Sequence, residues 1–289
     1  MKLEIRFVRF DIATMKYVEV DDRVVYETKR MCDITRKVNS YMDTFVVGKY
    51  AERKGTVIYR AMLRQNPFNG KYLPRDKTVH VTIHDEDGKL ADIKSASTSC
   101  KLNLICRYRA ELKGSVCTFC YAQNELRYKA GLRKWLEWNY AVLNLGVLDK
   151  DDLPTIFDDI FRIESFGDVA TVFCAINYIN MIRKNKGTWF SVWTKNPSIW
   201  NAAMKIKGTP RNATFLVSSP FVNVRLNLEA VKAVYPWVDK TFTVYDNGTE
   251  SNCAGLGCRH QCGRCYGKKS KKSESDVREN LRLVGGKKR

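Results

Sequence analysis

The chain has 289 residues, 44% of them hydrophobic, and its 50 Lys and Arg outnumber 31 Asp and Glu to give a net charge of +19. That length can bury a core without a disulfide framework, and the charge favours nucleic acid or another polyanion as a partner. The first residues are charged where a secretory segment is apolar, and no apolar run reaches the roughly 20 residues of a membrane span. We therefore expect a protein of the reducing cytosol with no membrane partner.

Residues 1–88 predict a small, mostly β N-terminal extension. Side chains alternate in character, or are β-branched and aromatic, in the segments 3–8, 17–20, 44–47, 56–59 and 78–83. His80 and His84 lie in this part, and we interpret both as ordinary surface histidines.

Residues 89–250 predict an α/β core, because short apolar runs alternate with segments of helical period. The predicted strands are 90–94, 160–164, 189–193, 214–217 and 241–245, and the predicted helices are 121–147, 169–184, 198–205 and 228–234. Strands that alternate with helices form a parallel sheet, here either open or curled into a partial (β/α) barrel.

Eight of the ten cysteines fall into two compact groups of four. The first group is Cys100, Cys106, Cys117 and Cys120, and the second is Cys253, Cys258, Cys262 and Cys265. Four sulfurs complete the ligand set of a tetrahedral zinc or a cubane iron–sulfur cluster, so both groups predict bound metal. We interpret Cys32 and Cys174 as small core hydrophobes, and His260, inside the second group, as a non-ligand because four sulfurs suffice.

Ligands gather at the carboxyl ends of parallel strands. That rule places both cysteine groups on one rim, together with Asp168, Lys195, Ser218, Ser219 and Asp246. Asp168 is a candidate for catalysis or ligand binding, with a helix cap as the alternative, and Lys195 is a candidate catalytic residue with a helix start as the alternative.

The segment from Cys117 to Ala122 resembles the cluster loop of radical S-adenosylmethionine enzymes. In that family three cysteines hold a 4Fe-4S cluster and leave one iron open to S-adenosylmethionine, which implies that Cys106, Cys117 and Cys120 are ligands. It also implies that Glu164, Ser165 and Gly167, after the second strand, help to bind the cofactor. Ten residues separate Cys106 from Cys117, more than in the family, and Cys100 offers a fourth thiolate. A fourth ligand would close the cluster and make it structural or electron-transferring.

Residues 90–266 together resemble the phage gene-product-eighty-eight family. The resemblance rests on Ser99-Cys100, the segment from Cys117 to Ala122, residues 162–168, residues 193–196 and the late cysteines. It implies a phage origin and action in the host cytoplasm.

The C-terminal part divides into a cysteine knob, residues 251–266, and a basic tail, residues 267–289, predicted to be flexible with a short helix near 276–284. The knob is predicted to bind either a second iron–sulfur cluster or zinc, since thiolates serve both. The candidate nucleic-acid contacts are Arg127, Arg133, Lys134, Arg259, Arg264, Lys268, Lys269, Lys271 and Lys272.

Three functions fit these patterns. The first is an iron–sulfur, radical S-adenosylmethionine-like enzyme acting on nucleic acid or a nucleotide. The second is a noncatalytic, metal-stabilised nucleic-acid-binding protein. The third is a zinc-containing base-exchange enzyme similar to transglycosylases, with Asp168 or Asp246 as nucleophile. The oligomeric state is left open.

Overall fold

The computed structural model describes residues 2–11, 16–27, 45–53, 56–63, 81–148, 150, 152–247, 250–253 and 257–281. Cys32 and His80 lie outside these ranges. Among the helices in the ranges, none combines the length and the apolar character that crossing a membrane requires.

The N-terminal part forms a four-stranded sheet of order β2-β1-β4-β3. Its strands are β1 (Lys2–Asp11), β2 (Lys16–Glu27), β3 (Phe45–Arg53) and β4 (Thr56–Leu63). β1 pairs with β4 in parallel, and the other two pairs are antiparallel. Four of the predicted strand segments thus coincide with strands, whereas residues 81–83 of the fifth lie in irregular structure.

A second, seven-stranded sheet has the order β11-β10-β9-β8-β7-β6-β5. Its strands are β5 (His84–Asp85), β6 (Lys94–Ala96), β7 (Ile160–Ile163), β8 (Trp189–Thr194), β9 (Ala213–Ser218), β10 (Lys240–Tyr245) and β11 (Asp276–Asn280). All neighbours are parallel except β5 and β6. The α/β class with a mostly parallel sheet is confirmed.

The helices between these strands are α1 (Leu104–Glu111), α2 (Tyr121–Tyr128), α3 (Ala130–Leu145), α4 (Val172–Lys184), α5 (Pro197–Lys207) and α6 (Leu228–Val234). The single helix predicted over 121–147 is wrong, because Lys129, with φ −90° and ψ 77°, leaves the helical conformation and separates α2 from α3. The Lys129 ammonium is held at that break by Glu125 and Asp87, at 2.8 and 3.1 Å.

The two faces of the larger sheet are covered differently. Phe161 and Ile163 of β7 pack into the main core with residues of α3, α4 and α5, and Cys174 lies fully buried there, as predicted. The opposite face packs against Cys265 and Tyr266 of the second cysteine segment. Since the strands follow one another in chain order with crossovers of one hand, their helices collect on one face and leave the other to the cysteines.

The C-terminal segment departs from its prediction. Residues Lys268–Lys272 form a 3-10 helix, and Asp276–Asn280 form strand β11 instead of a helix. The reason is tertiary packing: Val277 is 3% exposed within an apolar cluster, and β11 pairs in parallel with β10. The prediction of a flexible tail is therefore wrong for residues 267–281, and residues 282–289 lie outside the described ranges.

Candidate metal centres and the cavity between them

A cavity of about 500 Å³ lies at the carboxyl ends of the parallel strands. Both cysteine groups, although separated by more than a hundred residues in the sequence, contribute all their members to its lining. These members are Cys100, Cys106, Cys117, Cys120, Cys253, Cys258, Cys262 and Cys265. The predicted rim is thus a concave site lined by eight thiols.

Local caps position the first cysteine group. Asn103 begins α1, and its side-chain oxygen accepts from the backbone N–H of Cys106 at 3.5 Å and of Ile105 at 3.0 Å. Ser115 does the same for the turn that carries Cys117, accepting from its N–H at 3.1 Å. Such side-chain caps satisfy backbone donors that the first turn leaves unpaired, and they fix the direction of the chain at each thiol.

The thiols of the first group act on one another. Cys100 is 1% exposed, and a hydrogen bond between its sulfur and that of Cys120 raises the pKa of Cys100 and lowers that of Cys120. Burial raises the pKa of Cys106 well above its ordinary value, and the nearby Cys117 and Cys120 add to the rise. All four sulfurs therefore lie within electrostatic range of at least one other member.

The second group sits on a short irregular segment that packs against the sheet. Cys258 and Cys262 are the ends of a single π-helical turn, which Gly263 closes in the left-handed conformation, φ 63°. Cys265 is 9% exposed, its carbonyl accepts from Ser191 Oγ of β8 at 2.8 Å, and burial raises its pKa to about 12. The sheet thereby anchors the knob in place.

The donor chemistry of both groups suits a soft metal. All nine cysteines within the described ranges are free thiols. As the side chains stand in these ranges, no three Cys, His, Asp or Glu enclose a metal-sized point. Thiolates are the ligands that zinc and iron–sulfur clusters share, so the chemistry of the donor set fits either metal group. His260 contacts Asp92 instead, at 3.3 Å.

Glu164, one of the predicted cofactor-binding residues, is buried and strained. It has a positive φ of 58°, which disfavours any residue with a Cβ. Its carboxylate accepts from the N–H and hydroxyl of Thr98, at 3.0 and 2.8 Å, and from the Tyr178 hydroxyl at 2.9 Å. Burial raises its pKa to about 7. The turn after β7 is thereby fastened to the loop that leads to Cys100.

Gly167 has a steric role in the same turn. A Cβ at this position would lie 2.5 Å from the Thr98 carbonyl oxygen and 2.8 Å from Glu164 Oε2. Glycine therefore permits a contact between two backbones that alanine would prevent. Glu164, Ser165 and Gly167 all line the cavity.

Asp168 links two strand ends. Its carboxylate accepts from the Thr194 hydroxyl at 2.8 Å and from the Lys195 N–H at 2.7 Å. Burial raises its pKa, and the Arg109 guanidinium opposes that rise. The alternative of a helix cap is wrong, because Thr171 caps α4 by accepting from the N–H of Cys174.

Lys195 is half-buried and lines the cavity next to the first cysteine group. Its backbone is held from both sides, since its N–H donates to Asp168 and its carbonyl accepts from Arg109 Nη2 at 2.8 Å. Its ammonium makes no hydrogen bond or ion pair with the described part of the chain. Ser218 also lines the cavity, whereas Asp246 does not and instead bonds Asn223 at 3.0 Å.

Sequence reasoning missed a buried polar network beside the cavity. The His84 side chain is only 14% exposed, and its Nε2 lies 2.9 Å from Ser95 Oγ and 3.1 Å from Glu86 Oε1. Ser165 adds its hydroxyl at 3.0 Å from Ser95 Oγ. Burial opposes ionisation of Glu86, but the bonds from His84, Ser165 and Ser95 prevail and lower its pKa. The surface interpretation of His84 is therefore wrong.

Arg162 is the second residue that sequence reasoning missed. Its guanidinium carbon lies 4.9 Å from the centre of the Trp193 ring, and Nη1 donates to the Tyr266 hydroxyl at 2.9 Å. It lines the cavity. A charged residue among apolar neighbours in Ile160-Phe161-Arg162-Ile163 is the signal that could have drawn attention to it.

The candidate nucleic-acid contacts divide by their surroundings. Arg127 and Lys134 are exposed on α2 and α3, and Arg133 is half-buried beside them. In the C-terminal part Lys268 and Lys272 are exposed, and Lys269 belongs to the same 3-10 helix. The remaining three form ion pairs: Arg259 with Asp159, Arg264 with Glu274 and Lys271 with Asp239, at 2.6, 3.1 and 3.5 Å.

Comparisons of the chain with protein-family models, with curated proteins and with solved structures find no match.

Proposed function

We propose that this protein is an iron–sulfur enzyme, similar to radical S-adenosylmethionine enzymes, which acts on a nucleic acid or a nucleotide. The observation that carries the proposal is that two groups of four cysteines line a single cavity together with ionisable side chains. Structural metals need no shared cavity, since each is enclosed by its own ligands. A pair of centres that both face one concave space is the arrangement expected where the space holds a substrate.

The fold supports the same proposal. The strands of the larger sheet follow one another in chain order. Helices α3, α4 and α5 pack on one face of the sheet, and side chains of the other face line the cavity. A partial (β/α) barrel would be consistent with this order, and in such barrels the sites lie at the carboxyl ends of the strands. We take the sheet to be such a barrel, and the phage origin and host cytoplasm stay predictions from the sequence resemblance.

In this proposal Cys106, Cys117 and Cys120 bind the first cluster, with Cys100 as the fourth ligand or as a hydrogen-bonding neighbour. A 4Fe-4S cluster held there would supply one electron, which with one iron left open would reduce the sulfonium bond of S-adenosylmethionine. The other cavity residues hold the site together. Asp168 joins the ends of β7 and β8 and holds the backbone of Lys195, whose ammonium is within electrostatic range of Cys106 and Cys120.

In this proposal the second cysteine group binds another cluster or a zinc ion. The base-exchange alternative loses support, since Asp246 is outside the cavity lining and the Asp168 carboxylate already accepts three hydrogen bonds. One specific observation favours the noncatalytic, nucleic-acid-binding alternative. Tyr128 and Trp135, 84% and 45% exposed, accompany Arg127 and Lys134 on α2 and α3, and exposed aromatic rings beside basic side chains suit stacking on unpaired bases.

The test is metal and acid-labile sulfide analysis of protein purified without oxygen, followed by electron paramagnetic resonance of the reduced protein with and without S-adenosylmethionine. We expect about four or eight iron and sulfide per chain and a spectrum that S-adenosylmethionine changes. Zinc without sulfide, or an unchanged spectrum with no methionine released, would contradict the enzyme proposal.

Two variants sharpen this test. Cys117→Ser should remove the iron of the first group, whereas Cys174→Ala, a buried cysteine outside both groups, should leave the iron content unchanged. Cys100→Ser decides the ligand count. Retained iron and a retained response to S-adenosylmethionine identify a three-cysteine cluster, whereas loss of the iron identifies a closed, four-cysteine one.

A further inference from the structure

Arg162 lines the cavity and has guanidinium donors without a hydrogen-bond partner in the described residues. Its Nη1 donates a hydrogen bond to the Tyr266 hydroxyl, whereas Nε is shielded from solvent and has no hydrogen-bond partner within the described residues. Nη2 likewise makes no hydrogen bond in those residues. Nε–H and Nη2–H form the side of the guanidinium that meets two oxygens of one anion in parallel. Because Nε is shielded, an anion in the cavity meets Nη2–H first, and the two-bond contact forms when the guanidinium shifts toward the anion.

Leaving this edge unpaired is energetically unfavourable. A buried donor without a partner destabilises the fold, and it does so more strongly when the group is charged. The guanidinium is nevertheless fixed, stacked over Trp193 at 4.9 Å and bonded to Tyr266. A fixed, desolvated and incompletely bonded cation indicates that its partner is a ligand.

Glu86 attracts Arg162 electrostatically, but no acidic side chain of the described lining forms a hydrogen bond or ion pair with its guanidinium. Each acidic side chain of the lining already has a partner: Glu86 with His84 and Ser95, Asp87 and Glu125 with Lys129, Glu164 with Thr98 and Tyr178, Asp168 with Thr194 and the Lys195 N–H, and Glu279 with Lys89. Lys195 adds a second cation, whose ammonium makes no hydrogen bond or ion pair within the described part of the chain. The groups with donors to spare are therefore positive, and an anion satisfies them.

Aromatic rings surround the same space. The Trp193 ring lies 4.7 Å from Phe242 and 6.5 Å from Tyr266, centre to centre. The aromatic residues of the lining are Phe119, Tyr121, Phe166, Trp193, Phe242 and Tyr266. Such rings provide flat apolar contacts for a planar heterocycle.

We infer that the cavity binds a nucleotide, with its phosphate on the free edge of Arg162 and its base against the aromatic wall. A volume of about 500 Å³ accommodates a ligand of that size but excludes a duplex. This inference rests on the proposed function, because it takes the cavity to be the functional site, and it specifies the substrate class. Its test depends on Arg162 and not on the metal.

The experiment is equilibrium dialysis of the anaerobically purified protein with radiolabelled guanosine 5′-monophosphate and adenosine 5′-monophosphate, compared with the corresponding nucleosides. We expect saturable binding of at least one nucleotide, at least tenfold tighter than its nucleoside. This comparison needs no variant. Arg162→Gln should weaken nucleotide binding at least tenfold and leave nucleoside binding unchanged, and Arg162→Lys should lie between, since lysine keeps the charge but loses the fork.

Arg183→Gln is the matched control, because Arg183 donates to the Gly208 carbonyl on an exposed surface. It should bind nucleotides as the wild type does. Nucleosides that bind as tightly as nucleotides would overturn the inference, as would nucleotide binding that is equal in Arg162→Gln and the wild type. The inference would also fail if Arg162→Gln weakened binding of S-adenosylmethionine, a carboxylate without phosphate, but not of nucleotides.

Competition distinguishes the source of the phosphate. We compare a tetranucleotide that carries a 5′-phosphate with the same strand without it. If only the phosphorylated strand displaces the mononucleotide, the site also binds the phosphate at the end of a strand.

Metal analysis of the same samples separates the two proposals. Arg162-dependent nucleotide binding in protein without iron or sulfide would refute the iron–sulfur enzyme and support the nucleotide site, and iron and sulfide without such binding would do the reverse.

Discussion

Glu164 combines an unfavourable backbone conformation with a buried carboxyl group, and the surrounding contacts hold it in place. Its left-handed backbone, φ 58°, costs about 1–3 kcal/mol in a residue with a Cβ, and its carboxyl is buried. Three donated hydrogen bonds, two from Thr98 and one from Tyr178, hold it in place. Because Thr98 stands two residues before Cys100, the conformation of this single residue bears on the position of the first cysteine group.

Glu164→Gln should reduce the dependence of stability on pH. Burial raises the pKa of Glu164 from 4.5 to about 7, so between these values the folded chain keeps a proton that the unfolded chain has released. The free energy of unfolding therefore falls as pH rises through this window, by no more than about 3 kcal/mol in total from this group. Glutamine cannot ionise, and it keeps the shape and a hydrogen-bonding amide.

The measurement is urea unfolding of both proteins at several pH values from 5 to 8. The stability of Glu164→Gln relative to wild type should increase with pH and level off above about pH 7.5. Glu111→Gln, which changes an exposed acid at the end of α1, serves as the control and should follow the wild-type curve. Parallel curves for Glu164→Gln and wild type would show that the carboxyl is ionised throughout.

At the residue scale, sequence predicted the groups whose signal lies in spacing. Clustered cysteines can be recognised without a fold, and all eight reached the cavity. His84 and Arg162 could not be recognised in the same way, because their burial comes from partners distant in the chain. Ser165 contacts the His84 network from the turn after β7, and Tyr266 reaches Arg162 across 104 positions.

At the element scale, tertiary contacts decide the departures from prediction. Residues 276–284 have the polar composition of an exposed helix, yet Asp276–Asn280 pair with β10, and Val277 fills an apolar cluster. The helical period of 121–147 continues past Lys129, but Lys129 leaves the helical conformation, and its ammonium pairs with Glu125 and with the distant Asp87. Strand runs in the parallel sheet were easier to predict, because both faces are buried and the apolar runs are continuous.

Thr171→Ala should destabilise the protein by about 2 kcal/mol. The Thr171 hydroxyl accepts from the Cys174 N–H at 3.2 Å and donates to Asn144 Oδ1 at 2.7 Å. Alanine removes the cap of α4, worth about 0.5–2 kcal/mol, and leaves a buried acceptor unsatisfied. Urea unfolding measures the loss. Thr171→Ser keeps the hydroxyl and should lose less than half as much, and equal losses in the two variants would assign the effect to the methyl group.

At the scale of the whole molecule, chain order equals strand order in the larger sheet from β5 to β11. Each connection then adds one strand to the growing edge, so the two cysteine groups, which follow β6 and β10, emerge at the same end of the sheet. Sequence alone could predict this end, because parallel strands share the direction of their carboxyl termini. It could not predict that the second group turns back to cover the face of the sheet opposite α4 and α5.

The net charge of +19 attracts nucleic acid to the whole surface, and an experiment can separate this general attraction from binding at a specific face. If α2 and α3 bind single-stranded nucleic acid, each phosphate contact contributes about 0.7 to the steepness of a plot of log affinity against log salt concentration. Replacing the exposed Arg127 and Lys134 by Gln should lower that steepness by about 1.4. The measurement is fluorescence anisotropy of a labelled single strand at several salt concentrations. Lys205→Gln with Lys207→Gln, exposed on α5, removes the same charge elsewhere and should leave the slope unchanged. Equal changes in both double variants would mean that binding follows net charge, and that α2 and α3 form no distinct interface.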